Sequence, residues 1–241
     1  NRHFLSFFVA VMLSFAAFSQ TPEQPNEGNG TEGNPYKIDT PAEFLWITND
    51  NDAHYELTAD INLGDFGDRT SAIIPTFYGT FDGYGHTITY QASFIGTTEK
   101  GNYALFGLVE GGTLENINVN ADVTISGTEN DMQVALLCGK LTNKQTETSA
   151  GSKPTIYSYT YSYGIIRNCN VNGNINSTVT SERGGTDAGL LVGESQGQIK
   201  YCNGVGNVRG VGYVGGLVGQ MSTGSYREKY QKSAYIPFYG T

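Results

Sequence analysis

An internal repeat constrains the fold of this 241-residue chain more than any other feature. An apolar run ending in glycine recurs four times, as ALFG at 104–107, LLCG at 136–139, LLVG at 190–193 and GLVG at 216–219. The final glycines are 32, 54 and 26 residues apart, so a short unit recurs with one long insertion. Such a unit cannot bury its own apolar face and must stack on copies of itself. The repeat therefore predicts a β-solenoid in which equivalent strands pair in parallel.

A second strand pattern follows three of these segments and predicts the register of the stack. Its alignment gives two apolar columns: Leu114, Ile166 and Ile199, and then Ile117, Cys169 and Cys202. Asn116 and Asn168 align between these columns, where the strand is expected to bend. Stacked asparagines can bond to one another along the axis. Tyr201 interrupts that asparagine column.

The composition agrees with an all-β fold and argues against some partners. The chain has 32 Gly and 16 Tyr, and 15% of its residues are charged, which favours strands and tight turns. A propeller or sandwich is the competing all-β fold. Propeller blades repeat every ~40–50 residues with four strands each, which the short units fit poorly. The formal net charge of −9 argues against binding to nucleic acid or anionic lipid.

The start of the chain indicates export. A basic start precedes an apolar run over residues 4–18, which is too short to span a membrane. The pattern predicts a signal peptide over residues 1–19, cleaved after Ser19, and no membrane insertion after its removal. Residues 20–34 lack aliphatic and aromatic side chains, so they are expected to form a flexible tether. The β-helix domain is then predicted over residues 35–241.

A short helix is predicted at the start of this domain. Thr40 can cap it, Pro41 suits its first turn, and Glu43 completes a capping box. The helix is expected to end near Asn49 and to cover the open first unit of the stack. Further along, Asp82-Gly83 predicts a turn in which the aspartate binds its own backbone.

The repeat resembles a known family. The segments at 190–193 and 216–219, with the G-x-I-x-x-C and G-N-V patterns, are similar to the GLUG-motif repeat. That repeat occurs in bacterial surface adhesins and in the N-terminal part of immunoglobulin A1 metallopeptidases. Residues 79–88 resemble the first-coil signature of the group, and residues 36–63 resemble its opening segment. The resemblance covers about residues 35–220. It implies a right-handed parallel β-helix on a secreted or surface-anchored protein, but no single activity.

No catalytic residue, metal or cofactor is predicted. The H-E-x-x-H motif of the metallopeptidases is absent from the sequence. Four aspartates could converge as in a polysaccharide lyase or hydrolase, although turn and surface roles are the simpler interpretation: Asp60, Asp65, Asp68 and Asp82. Cys169 and Cys202 occupy equivalent inward positions, where they could form a disulfide. A buried free cysteine also serves as a small apolar residue.

Tyrosine-rich insertions provide the candidate binding surface. The insertion at 142–163 contains an alternating strand pattern that places four tyrosines on one face: Tyr157, Tyr159, Tyr161 and Tyr163. A second insertion at 222–241 begins at the same point of the repeat. Tyrosine combines contact area with a hydrogen-bonding tip, which suits a host or surface glycan or glycoprotein. A hairpin that only packs against the stack is the alternative.

The sequence therefore predicts a non-catalytic, adhesin-like binding module at the cell surface or outside the cell. Two other functions remain open at this point. The repeats could form a structural spacer within a larger surface protein, or they could support a polysaccharide lyase or hydrolase.

Overall fold

The computed structural model describes residues 21–97, 101–128, 131–150, 156–179, 185–210 and 212–222, without the side chains of 149–150 and 156–158. A helix, α1 (Pro41–Leu45), continues into a 3-10 turn at Trp46–Thr48, and strands make up most of the rest. The strands are β1 Tyr36–Ile38, β2 His54–Leu57, β3 Ile61–Arg69, β4 Ile74–Phe77, β5 Thr80–Asp82, β6 Thr87–Gly96, β7 Asn102–Tyr103, β8 Phe106–Glu110, β9 Thr113–Glu115, β10 Asn118–Gly127, β11 Met132–Val134, β12 Cys138–Thr142, β13 Lys144–Ala150, β14 Ile156–Ser162, β15 Ile165–Arg167, β16 Asn170–Ser177, β17 Thr186–Ala188, β18 Val192–Ser195, β19 Gln198–Lys200, β20 Asn203–Arg209 and β21 Val218–Met221.

Within the described ranges, four sheets are parallel, and the chain visits them in a fixed order. Sheet I has the order β1-β2-β5-β9-β15-β19, sheet II β3-β6-β10-β16-β20, sheet III β7-β11-β17 and sheet IV β4-β8-β12-β18-β21. From β2 onward, each passage of the chain runs from sheet I to sheet II, then to sheet III where it is present, and then to sheet IV. The fifth sheet is the antiparallel β13–β14 hairpin. The chain is therefore all-β apart from α1 and its 3-10 turn.

The strand register agrees with the alignment of the repeats. In sheet I, Leu114 pairs with Ile166, Ile166 pairs with Ile199, and Phe81 extends this column. The equivalent column of sheet IV contains Phe106, Cys138, Val192 and Val218. The predicted stacking of equivalent strands is thus present in the described chain. Parallel pairing between successive repeats also differs from the antiparallel blades of a propeller.

The predicted helix and its capping box are confirmed. Thr40 Oγ1 accepts a hydrogen bond from Glu43 N at 3.2 Å, and Glu43 Oε2 accepts one from Thr40 N at 3.3 Å. Phe44 on this helix is fully buried and meets Phe81 and Phe106 edge-on, with ring centroids 5.7 and 5.9 Å away. The helix therefore packs its apolar side on the core of the first repeats.

The core side chains become smaller along one column of sheet II. Tyr90, Ala121, Gly173 and Gly206 are successive partners in this column. Gly173 has a φ of +146°, and a Cβ there would lie 1.7 Å from the carbonyl oxygen of Ala121. Only glycine fits at this position, because a side chain would meet backbone that cannot move independently.

Residues 21–34, which were expected to belong to a flexible tether, lie against the first strands. Its backbone bonds to the first strands: His54 N donates to Gly30 O at 2.8 Å, and Glu27 pairs with Lys37. Gly30 is also buried, and a Cβ there would lie 2.5 Å from the ring of Tyr36. Backbone hydrogen bonds hold this segment where apolar side chains are missing.

The predicted signal peptide at 1–19 lies outside the described residues, as does the insertion at 222–241 apart from Ser222. Among the described helices, none has the length and apolar character needed to cross a membrane.

Candidate functional site

The predicted tyrosine insertion at 142–163 contains the β13–β14 hairpin, which leaves the stack between sheet IV and sheet I. Asn143 closes its base, since its Oδ1 accepts from Gly164 N at 3.0 Å and its Nδ2 donates to Gln196 O at 2.9 Å. The following repeat turns the same corner through a short Gln196 turn without a hairpin. The hairpin is thus an insertion at a corner that the next repeat forms without one.

One face of the hairpin base is turned toward the stack. Lys144 and Ser162 are cross-strand partners, and their Cβ atoms lie 2.7 and 3.0 Å from the place that a Cβ on Gly111 would occupy. The ammonium group of Lys144 lies 4.7 Å from the centroid of the Tyr78 ring, a cation–π contact. Because side chains alternate along a strand, the neighbouring tyrosines project from the opposite face.

Tyr159, Tyr161 and Tyr163 lie on that outward face, and Tyr157 belongs to the same alternation, although its side chain is outside the described part. Tyr159 and Tyr163 are 38% and 39% exposed, and Tyr161 is half-buried. Glu147 pairs across the hairpin with Tyr159. The predicted tyrosines therefore share a face that keeps part of each described ring in water.

The four aspartates proposed for a catalytic cluster have separate local roles. Asp82 Oδ1 accepts from Tyr84 N at 2.8 Å, which is the predicted turn. Asp60 Oδ1 accepts from Thr87 N at 2.8 Å and contacts His86, and these two bonds lower the pKa of Asp60. Asp65 and Asp68 are exposed on β3. In the described chain, no three histidine, cysteine or acidic side chains are grouped so that they could hold a metal ion.

Asp65 also borders a shallow depression of about 350 Å³ on the outer face of sheet II, with Gln91, Ser93, Asp122 and Asn174. Asp65 Oδ1 accepts from Gly67 N at 2.8 Å, and Asp122 Oδ1 accepts from the side chain of Asn174 at 2.8 Å. Each carboxylate is thus already bonded to a neighbour on an open surface.

The two stacked cysteines are free thiols, with Cys169 buried and Cys202 partly exposed. Cys169 fulfils the role of a small apolar core residue. A hydrogen bond between the two thiols lowers the pKa of Cys202 to about 7 and raises that of Cys169. Cys138 is fully buried, and burial raises its pKa.

The asparagine ladder predicted between sheets I and II is confirmed. Asn168 Nδ2 donates to Asn116 Oδ1 at 3.1 Å, and Asn116 Nδ2 donates to Asp82 Oδ1 at 2.9 Å. Both asparagines have a φ of +55°, a left-handed conformation that asparagine tolerates better than most residues. A parallel ladder continues beside them, where Asn170 Nδ2 donates to Asn118 Oδ1 at 3.0 Å.

Two tyrosines at the ends of this ladder were not singled out from the sequence as site residues. Tyr84 and Tyr201 have φ values of +50° and +55°, and they are 62% and 85% exposed. Tyr201 follows Lys200, the partner of Arg167, so it stands next to Asn168 in the stack. For Tyr201 the sequence alignment contained the signal, because a tyrosine there takes the place of an asparagine.

The chain is similar in sequence to a small part of one much larger protein. Over 209 residues it is 32% identical to the protein named Halomucin of Haloquadratum walsbyi (strain DSM 16790 / HBSQ001). The match covers 81% of this chain and 2% of halomucin, so the chain spans a small part of that relative's length. No family model matches the chain, and no solved structure matches it.

Proposed function

We propose that this chain is an exported, surface-associated binding module of the GLUG-repeat type, without catalytic activity. Its scaffold is a right-handed parallel β-helix, and its contact surface is the tyrosine face of the β13–β14 hairpin. The partner is a glycan or glycoprotein. The observation that carries the proposal is the partly exposed tyrosine face on a hairpin that the stack does not need.

The β-helix proposal is supported by the path of the chain. Successive repeats visit sheets I, II and IV in the same order and pair in parallel with the repeat before. Parallel strands joined by a crossover have right-handed connections in about 98% of cases. The handedness therefore follows from the general chirality of parallel connections.

Surface association is supported by two independent observations. The first is the signal-peptide pattern of residues 1–19. The second is the similarity to halomucin, whose name describes it as a mucin. The share of halomucin covered is small, so the likeness supports a location and not a specific partner.

The hairpin is proposed as the contact surface because its two faces differ. At the hairpin base, Lys144 and Ser162 lie against Gly111, and strand alternation places Tyr159, Tyr161 and Tyr163 on the opposite face. Tyrosine rings bury a large area for the loss of few torsions, and the hydroxyl can bond to a polar partner. Such a surface suits sugars, which combine apolar C–H faces with hydroxyl groups.

The experiment is a binding panel of glycans, mucins and matrix proteins with two matched hairpin variants. In the first, Tyr157, Tyr159, Tyr161 and Tyr163 are changed to Ser. In the second, Thr146 and Thr160, cross-strand partners on the opposite face, are changed to Ala. Binding to at least one glycan or glycoprotein of the panel is expected to be lost in the tyrosine variant and kept in the threonine variant.

Equal binding by both variants would remove the hairpin face from the proposal. Absence of binding by the unaltered chain would favour the spacer function, in which the stack only separates other parts of a surface protein.

A further inference from the structure

Two exposed tyrosines on the stack have a backbone conformation that tyrosine disfavours. Tyr84 and Tyr201 both have positive φ, a region where a bulky residue is an outlier. The intervening repeats place Asn116 and Asn168 at this corner, and asparagine meets the same requirement at lower cost. The rings contribute little to the core, because both side chains are mostly in water. Strained residues of this kind cluster at functional sites.

The two tyrosines flank a polar depression. A depression of about 440 Å³ is lined by Tyr84, Gly85, Asn116, Asn118, Asn168 and Asn170. Tyr201 stands one strand beyond Asn168. Tyr84 and Tyr201 are separated by three strand spacings of ~4.8 Å, so the groove between them is roughly 14 Å long. The six residues that line the depression are uncharged, and four of them are asparagines.

The amides keep unused hydrogen-bonding capacity toward the groove. Asn168 and Asn170 each donate one bond within the ladders, to Asn116 and Asn118. Among the described residues, none donates to the Oδ1 atom of Asn168 or Asn170. A primary amide also has a second N–H to donate. Each of these two asparagines therefore offers a donor and an acceptor side by side, fixed in place by the ladder below it.

We propose that this corner, named the Tyr84–Tyr201 groove, is a second binding site and that it takes a neutral oligosaccharide. Paired donors and acceptors match the hydroxyl groups of a sugar, which donate and accept in the same way. The tyrosine rings offer flat apolar faces to the C–H faces of sugar rings at either end. The uncharged floor favours neutral sugars over acidic ones. The groove is open and shallow, which suits an extended chain rather than an enclosed small molecule.

The groove lies on a different surface from the hairpin. It deepens the proposed function by naming a substrate class, but it rests on different residues. Each surface can therefore fail or succeed without the other.

The test compares variants of the full chain on an array of neutral oligosaccharides, followed by titration calorimetry with the best soluble oligosaccharide. The variant is Tyr84→Asn with Tyr201→Asn, which introduces the residue that already occupies this corner in the middle repeats. Because asparagine suits positive φ, this variant is expected to fold, and circular dichroism checks that it does. Tyr213→Asn is the matched control, since Tyr213 is 64% exposed and its loop pairs with Ala188, away from the groove. The hairpin tyrosine variant is run beside them.

The expected result is at least a tenfold weaker affinity for the oligosaccharide in the groove variant and an unchanged affinity in the Tyr213 control and the hairpin variant. Competition by the free oligosaccharide against an immobilised mucin distinguishes recognition of the sugar from recognition of the protein that carries it. Unchanged binding in the groove variant, or no binding of any neutral oligosaccharide by the unaltered chain, would overturn the inference. Loss of mucin binding in the hairpin variant alone would support the proposed function while leaving the groove without a role.

Discussion

Phe106 is the residue whose removal tests the packing of the first repeats most strongly. Its side chain is fully buried, and its ring centroid lies 5.9, 5.3 and 5.6 Å from those of Phe44, Phe77 and Phe81. Truncating a buried phenylalanine to alanine costs about 3–5 kcal/mol, and each aromatic pair contributes about 0.5–1.5 kcal/mol within that total. With three such pairs, Phe106→Ala is expected to lower the free energy of unfolding by about 4–5 kcal/mol.

Urea unfolding followed by the fluorescence of Trp46 measures this loss, because the single tryptophan follows α1 and lies partly buried against the core. Leu108→Ala is the matched control. Leu108 is on the same strand as Phe106 but is partly exposed, so its truncation is expected to cost about 1 kcal/mol or less. A loss below about 2 kcal/mol for Phe106→Ala, or equal losses for both variants, would refute this account of the core.

Three further predictions concern single positions. Gly173→Ala is expected to lower the free energy of unfolding in urea by at least about 2 kcal/mol, because the new Cβ would meet the backbone of Ala121 at positive φ. The control is Gly33→Ala, which has open space around it and is expected to change stability by less than about 0.5 kcal/mol. Equal effects of the two substitutions would contradict the close approach at Gly173. Tyr201→Asn is expected to raise the unfolding free energy by about 1 kcal/mol by relieving backbone strain, and a destabilised variant would argue against that strain. Alkylation of Cys202 is expected to accelerate as pH rises through about 7 and then to level off, because the thiolate is the nucleophile. Cys138 is expected to stay unreactive in the folded chain, and mass spectrometry of the labelled peptides identifies the modified cysteine. A midpoint near pH 9 for Cys202 would contradict its lowered pKa.

The stacking could be predicted because the register of a repeat protein is already present in its sequence alignment. Once residues 114–119 and 166–171 are aligned, the partner of Leu114 must be Ile166, and the ladder from Asn116 to Asn168 follows from the same alignment. The helix could also be predicted, because the Thr40 capping box forms between residues close in sequence and needs no tertiary contact.

Other features depend on tertiary contacts that composition does not reveal. Residues 21–34 have too few apolar side chains to predict packing, yet their backbone bonds to the first strands. The short strand β11 (Met132–Val134) has no alternating pattern, because all three of its residues are buried. The sequence alignment does not bring Tyr84 and Asn116 together, because the repeat of Tyr84 has two more residues at this corner.

The most direct test of the central claim, recognition without catalysis, is to incubate the full chain with glycans and mucin and to measure bound carbohydrate and released sugar together. We predict that carbohydrate is retained and that no new reducing ends or unsaturated products form. Release of such products by the chain, abolished by Asp65→Asn or Asp122→Asn on the outer face of sheet II, would contradict it and establish a carbohydrate-cleaving enzyme.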